Sequence, residues 1–383
     1  MPQNVFHDVT PINGGGRGLG CGRALFSSLI GVILMVIGVF TLFTNEREAV
    51  MTARALDQGS RIAVTVNSAA FTPANNGRLI HTVGMAQGVS PVADPVFKVW
   101  TPGLKLKRAV KMYQWAEESS EETEYALTGS RKITTYRYST GWSSDPIDSN
   151  AFAHPAGHKN PPMRYGSLEF TAIPTKCGVF DLSANLINQI GGYRPLSMST
   201  SDCHLIPHFV FDNGGLYRGR DSAQPHVGDV KITYSYVPAS TVTVVARQKG
   251  HILTAYHVKS EGDVELLRVG KFDSAHMFGY ARHQNSERTW DGRLLGFIFL
   301  SFGLMLASQL FLALFQWIPF LGDAMETLGC VASLGMGMVL SLLTIAAGWF
   351  YYRPVETGLL VAGGVVVIIA WLRSNALRRR NPA

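Results

Sequence analysis

Apolar and polar positions divide this chain into two regimes. Residues 25–43 run for 19 positions without a charge. Residues 294–315 and 328–350 do the same, and 354–372 form a fourth apolar stretch interrupted only by Glu356 near one end. Each approaches the roughly 20 residues that a helix needs to cross a hydrocarbon core. A secretory leader has a shorter apolar core and a small-residue cleavage site. Here Thr44, Asn45, Glu46, Arg47 and Glu48 follow the first stretch, so residues 24–44 read as an uncleaved anchor. Trp317, Trp349, Tyr351, Tyr352 and Trp371 stand at span ends, where aromatic belts form.

Between the first and second stretches the period changes to two. Val230, Ile232, Tyr234 and Tyr236 alternate with Lys231, Thr233 and Ser235, and Val242, Val244 and Ala246 alternate with Thr241, Thr243 and Val245. Such alternation of β-branched and aromatic residues predicts half-buried strands. Residues 78–84, 106–115, 132–142 and 251–258 read the same way. Glu117, Glu118, Glu121, Glu122 and Glu124 then fall at a solvated hairpin tip; a cation site is the sharper alternative, but calcium loops need fixed ligand spacing. Two helices are expected at 181–190 and 273–290, the first closed by Gly191 and Gly192 and the second suited to a membrane surface. Residues 46–58 are also helix-compatible, with Gly59 as a stop. The fold class is therefore a membrane α-helical bundle of four spans plus a β-rich α+β extramembrane domain at 45–293.

Composition agrees with a membrane protein: 46% of the 383 residues are apolar and 16% are charged, against roughly 25% charged in soluble domains. The net charge of +7 is no nucleic-acid stripe. It gathers beside apolar runs, at Arg17 and Arg23 and at Arg373, Arg378, Arg379 and Arg380. By the positive-inside rule both termini face the cytoplasm. Residues 1–23, rich in glycine, read as a disordered tail and 373–383 as a basic one. The domain then lies in a periplasm or an ER-type lumen. There Cys177 and Cys203 could pair or stand as two buried thiols.

Candidate chemistry is sparse. His154 and His158 flank Pro155, and His158-Lys159-Asn160 could be a base beside an amide donor; a Pro-flanked structured loop is the plainer reading. Asp202, His204 and His208 could bind metal, but strand spacing would separate them from Cys203. No catalytic residue, metal or cofactor is assigned. The first three spans hold no ionisable residue, which argues against a transport path. The third holds Gly329, Ser333, Gly337 and Ser341 at intervals of four, small residues that let helix backbones approach. They could pack within the bundle or between protomers.

Several stretches occur together in a specific order: Phe43-Thr44-Asn45-Glu46, Asn76-Gly77-Arg78-Leu79-Ile80-His81, Leu106-Lys107-Arg108, Met112-Tyr113-Gln114-Trp115, Gly157-His158-Lys159-Asn160-Pro161, Val227-Gly228-Asp229, Tyr234-Ser235-Tyr236, Val244-Val245-Ala246-Arg247-Gln248, Ala346-Ala347-Gly348-Trp349 and Tyr352-Arg353-Pro354. In this order the chain resembles the transmembrane protein 43 (LUMA) family from Phe43 to Pro354. The Gly-rich N-terminus departs from the animal pattern and fits a bacterial member. The resemblance implies four spans and a large luminal loop. For animal members it implies self-association and organisation of nuclear-envelope proteins such as lamins and emerin. The expected function is a non-enzymatic scaffold, homo-oligomeric, working with membrane lipids and other membrane proteins. The alternative is an envelope enzyme or lipid-binding protein acting at the bilayer surface.

Overall fold

The computed structural model describes residues 4–12, 17–126, 129–198, 208–258, 261–309, 321–359 and 362. Two compact units emerge. One is β-rich and comprises Met1–Gly14, Ile62–Tyr256 and Val264–Met277; the other is helical and comprises Gly15–Arg61, His257–Asp263 and Phe278–Ala383.

The principal strands of the β-rich unit are β1 (Val5–Ile12), β2 (Val64–Asn67), β3 (Leu79–Gly88), β4 (Gly103–Ala126), β5 (Gly129–Ser143), β6 (Val230–Pro238), β7 (Ser240–Lys249) and β8 (Leu266–Val269). One sheet runs β1-β5-β4-β6 and continues through the short strands Gly215–Arg218 and Val210–Asp212. Period-two burial appears where it was expected: Val230, Ile232 and Tyr234 of β6 meet Leu106, Val110, Met112 and Leu216 in its core. The other sheet is built around β3 and β7, which pair antiparallel from Ser240 opposite Ala86 to Arg247 opposite Leu79. Its core joins Ile80, Val242, Val244 and Ala246 to Phe180 and Leu186. Val245 and Thr243, on the opposite face of β7, are buried as well.

The expected hairpin tip is not one. β4 and β5 continue from Met112 opposite Ser143 to Ala126 opposite Gly129. The acidic run lies along a strand because basic residues face it. Lys132 Nζ sits 2.7 Å from Glu121 and Arg131 Nη2 3.3 Å from Glu124, cross-strand pairs that offset the charge. The helix expected at 181–190 shrinks to α2 (Ala184–Asn188), capped by Ser183, whose Oγ accepts from Leu186 N–H. Sheet pairing takes Asp181 and Leu182 instead, opposite Ile252 and Leu253.

The helical unit holds α1 (Arg17–Ile62), α3 (Ser274–Ala307) and α4 (Leu321–Tyr352). These are three helices long and apolar enough to cross a membrane. The helix-compatible segment 46–58 is the continuation of α1. The expected surface helix 273–290 is likewise the first part of α3, capped by Asp273, whose carboxylate accepts from His276 N–H at 2.7 Å. Most of the fourth apolar stretch, 354–372, lies outside the described residues.

Residues 1–23 are not structureless throughout, for β1 pairs with β5 from Val5 opposite Arg137 to Ile12 opposite Ser130. Chain order gives this pairing a topological consequence. A strand that precedes α1 and a sheet that follows it share one compartment; if α1 carries the chain across a bilayer once, they do not. The pairing and an N-terminus opposite the β-rich domain exclude one another. Cysteines placed at Thr10 and Lys132, directly opposed in register, are expected to form an intrachain disulfide seen by peptide mass spectrometry. No link in native membranes, together with cytosolic labelling of Thr10→Cys while the domain is protected, would show that β1 leaves β5 there.

Candidate functional site

Three residues at the ends of apolar runs converge in the helical unit. Glu46 follows the first apolar run by three residues, Arg293 immediately precedes the second, and Trp349 stands one residue before the end of the third. Glu46 is 2% exposed. Arg293 clasps its carboxylate bidentately, Nε to Oε1 at 2.6 Å and Nη2 to Oε2 at 3.0 Å. The Trp349 indole N–H donates to Oε2 at 2.8 Å. Arg293 also lies 4.8 Å from the Trp290 ring centroid. A buried carboxylate is tolerated when a fork of N–H donors neutralises and hydrogen-bonds it, and here the donors come from α3 and α4 while the acid comes from α1. Further polar ties flank it: Asn45 Nδ2 donates to Thr289 O at 3.0 Å and Asn285 Nδ2 to Ala49 O at 2.9 Å. The arrangement locks three helices in register.

Small residues let these helices meet. Ser333, Gly337 and Ser341 of the expected ladder are buried and Gly329 is half-buried. A Cβ at Gly337 would collide with Ser301 of α3, so this face is occupied within the chain. Ser341 Oγ donates to Gly337 O at 2.7 Å. A second set was missed in the sequence. Gly31 and Gly38 of α1 face Gly303 and Gly296 of α3; Cβ atoms added at Gly31, Gly303 or Gly296 would overlap backbone, Met35 or Leu42, and one at Gly38 would crowd Leu300. Both pairs are spaced by seven, a heptad signal readable in each apolar run.

In the β-rich unit, His154 and His158 are brought together, but as parts of an aromatic box. His158 is fully buried and stacks on Tyr138 at 4.0 Å, with the edge of Trp115 at 4.8 Å. Its Nδ1 lies 3.0 Å from His154 O, and its Nε2 has no partner. His154 stacks on Phe6 of β1 at 4.3 Å and reaches Asp8 with Nε2 at 3.1 Å. Tyr138 donates its hydroxyl proton to Glu117 and accepts from His154 N–H. Burial, then the bond to Glu117, pushes the Tyr138 phenol up to about 12. Asn160, expected as an amide donor beside a base, instead accepts from Trp115 N–H at 2.7 Å and donates to Trp115 O at 2.9 Å. The rings against His158 are those of Tyr138, Trp115 and Phe6. Cys177 is buried, its thiol pushed up by burial to about 11; Cys203, Asp202 and His204 lie outside the described residues. Among those described, no group of three His, Cys, Asp or Glu side chains could hold a metal.

A second buried charge pair ties the β-rich unit. Arg108 Nη1 meets Asp94 at 2.7 Å, Tyr234 hydroxyl donates to the same carboxylate at 2.8 Å, and Arg108 Nε donates to Gly166 O. Burial and this bond push the Tyr234 phenol up.

The profile of the family described as Transmembrane protein 43 matches residues 112–354. Transmembrane protein 43 of Rattus norvegicus is 35% identical over 355 residues, covering 89% of this chain and 88% of that protein. The Homo sapiens protein of the same name is 34% identical over 361 residues, covering 90% and 89%. The Transmembrane protein 43 homolog of Drosophila melanogaster is 27% identical over 361 residues, covering 91% and 94%. No solved structure matches.

Two outcomes are expected from this geometry. Glu46→Ala strands the Arg293 guanidinium and is expected to cost about 3 kcal/mol or more, read as a fall in Tm in detergent, while Glu46→Ala/Arg293→Ala recovers part of it. Equal, additive losses would remove the coupling. For Tyr138, the folded state keeps a proton that the unfolded chain releases near 10, the ordinary tyrosine value. Its contribution to stability is therefore complete below pH 10 and lost as pH climbs through about 12. Tyr138→Phe is expected to flatten the stability slope across that interval in denaturant titrations; an unchanged slope would remove Tyr138 from it.

Proposed function

We propose that this chain, which belongs to the transmembrane protein 43 family, is a non-enzymatic membrane scaffold that holds membrane proteins or lipids in place through its β-rich domain. It is an integral membrane protein. In this reading α1, α3, α4 and the stretch 354–372 are its membrane-embedded part. The β-rich domain lies outside the cytoplasm, and three crossings after it return Arg373 and Arg378–Arg380 to the cytoplasmic side. The observation that carries the reading is the clamp of Arg293 and Trp349 on Glu46. Its buried charge is fully spent on holding helices together, which suits a load-holding membrane anchor.

Close helix approach at Gly31, Gly303 and Gly337 supports the same reading, since these contacts give rigidity without a polar path. The outward faces of α1 and α4 stay apolar, with Phe26, Val36 and Phe40 on one and Val331 and Leu342 on the other exposed. They are available to lipid or to a second copy. The aromatic box around His158 gives the envelope-enzyme alternative no support, because its ring is closed from solvent and its neighbours are aromatic.

The scaffold is expected to run as a homo-oligomer by mass photometry in mild detergent, and a strictly monomeric protein would overturn that. Gly337→Leu is expected to lower Tm of the protomer, because the residue meets Ser301 of its own chain. Loss of oligomer at unchanged Tm would instead move the ladder to a face between copies.

A further inference from the structure

Beyond the clamp, the helical unit carries an open cavity of about 350 Å³ with a partly charged wall. This is within the size of small-ligand sites. Its charged wall consists of Arg54 and Asp57 of α1, Arg353 and Glu356 just past α4, and Glu261 of the segment His257–Asp263. The position is set by the apolar runs. Arg353 follows Tyr352, the last residue of α4, and Arg54 Nη2 donates to Tyr352 O at 2.7 Å. Cationic side chains at the end of a membrane helix stand at headgroup depth.

The charges within it are only partly answered. Asp57 is engaged by Arg61 at 2.7 Å, and Arg353 Nη1 meets Glu356 at 3.4 Å. The remaining polar atoms are of both signs: Arg353 Nε and Glu261 Oε2 are buried and have no hydrogen-bond partner. A buried donor and a buried acceptor left unmade each cost free energy. Two guanidiniums suit a phosphate diester, and Glu261 wants an N–H donor. A purely anionic headgroup would satisfy the arginines but set its charge against Glu261 and Glu356. A trimethylammonium would be neutralised but has no hydrogen to donate to Oε2. A primary ammonium two carbons from a phosphate answers both.

We infer that this cavity binds a phosphoethanolamine headgroup, the phosphate held by Arg54 and Arg353 and the ammonium by Glu261. The source is a bilayer lipid, since Arg353 of its wall directly follows the last residue of α4, where an apolar run ends. This site does not depend on the scaffold reading, only on α1 and α4 being membrane helices.

The test is native mass spectrometry of the full chain released from detergent with phosphatidylethanolamine, phosphatidylcholine or phosphatidylglycerol, and with soluble phosphoethanolamine. Wild type is expected to retain phosphatidylethanolamine about tenfold better than phosphatidylcholine, the worth of one hydrogen bond to a charged group. Glu261→Gln is expected to bring the two toward parity while Tm without lipid stays unchanged. Arg54→Gln/Arg353→Gln is expected to weaken both. Equal retention of the three lipids by wild type, or a preference that survives Glu261→Gln, would overturn the site. Soluble phosphoethanolamine binding as tightly as the lipid would overturn the bilayer source. The same spectra report oligomeric state, so a monomer that keeps its lipid preference would sink the scaffold alone.

Discussion

A carboxylate carried to the edge of a bilayer has to be neutralised where it sits, and Glu46 sets the geometry of the helical unit through that need. At 2% exposure it has no water to turn to. Its two oxygens accept from Arg293 and Trp349, so α3 and α4 are held at one height beside α1. The close approaches follow from that alignment. Antiparallel α1 and α3 bring Gly31 to Gly303 and Gly38 to Gly296, and Gly337 reaches Ser301. A shift of one turn, about 5.4 Å, would put side chains where backbone now passes and would open the charge pair at once.

The β-rich unit uses the same device. Asp94 takes Arg108 and Tyr234 into the first sheet's core, and Asp229 accepts from Tyr217 at 2.6 Å and from His226 N–H at 2.8 Å. Arg108, Tyr234 and Asp229 belong to stretches that carry the family resemblance. So do Asn160, which bridges both backbone groups of Trp115, and Gly77 and Gly228, whose positive φ values of 84° and 98° close turns that a side chain would strain. Shared motifs here are pins that hold sheets and turns together.

The histidine pair illustrates how far a motif can be read. His154 and His158 sit four apart in sequence and do share one site. What surrounds them comes from distant strands: Phe6 and Asp8 from β1, Trp115 and Glu117 from β4, Tyr138 from β5. Side chains that turn a polar loop into a closed aromatic box are separated from it by up to about 150 positions, so no local pattern reports them.

Local rules were enough for three of the apolar runs and for the alternating strands around Val230 and Val242, because length and period act within one element. Membership of the family was legible too, in the order of short motifs. Other features depended on partners. The acidic run became strand because β5 offers Lys132 and Arg131; residues 181–182 joined a sheet instead of a helix because Ile252 and Leu253 lie alongside; β1 formed because an edge of β5 was open to it. Glu46 and Trp349 were visible as boundary residues, yet only helix association joined them to Arg293 in one site, since an ion pair across nearly 250 positions is decided by which helix faces meet.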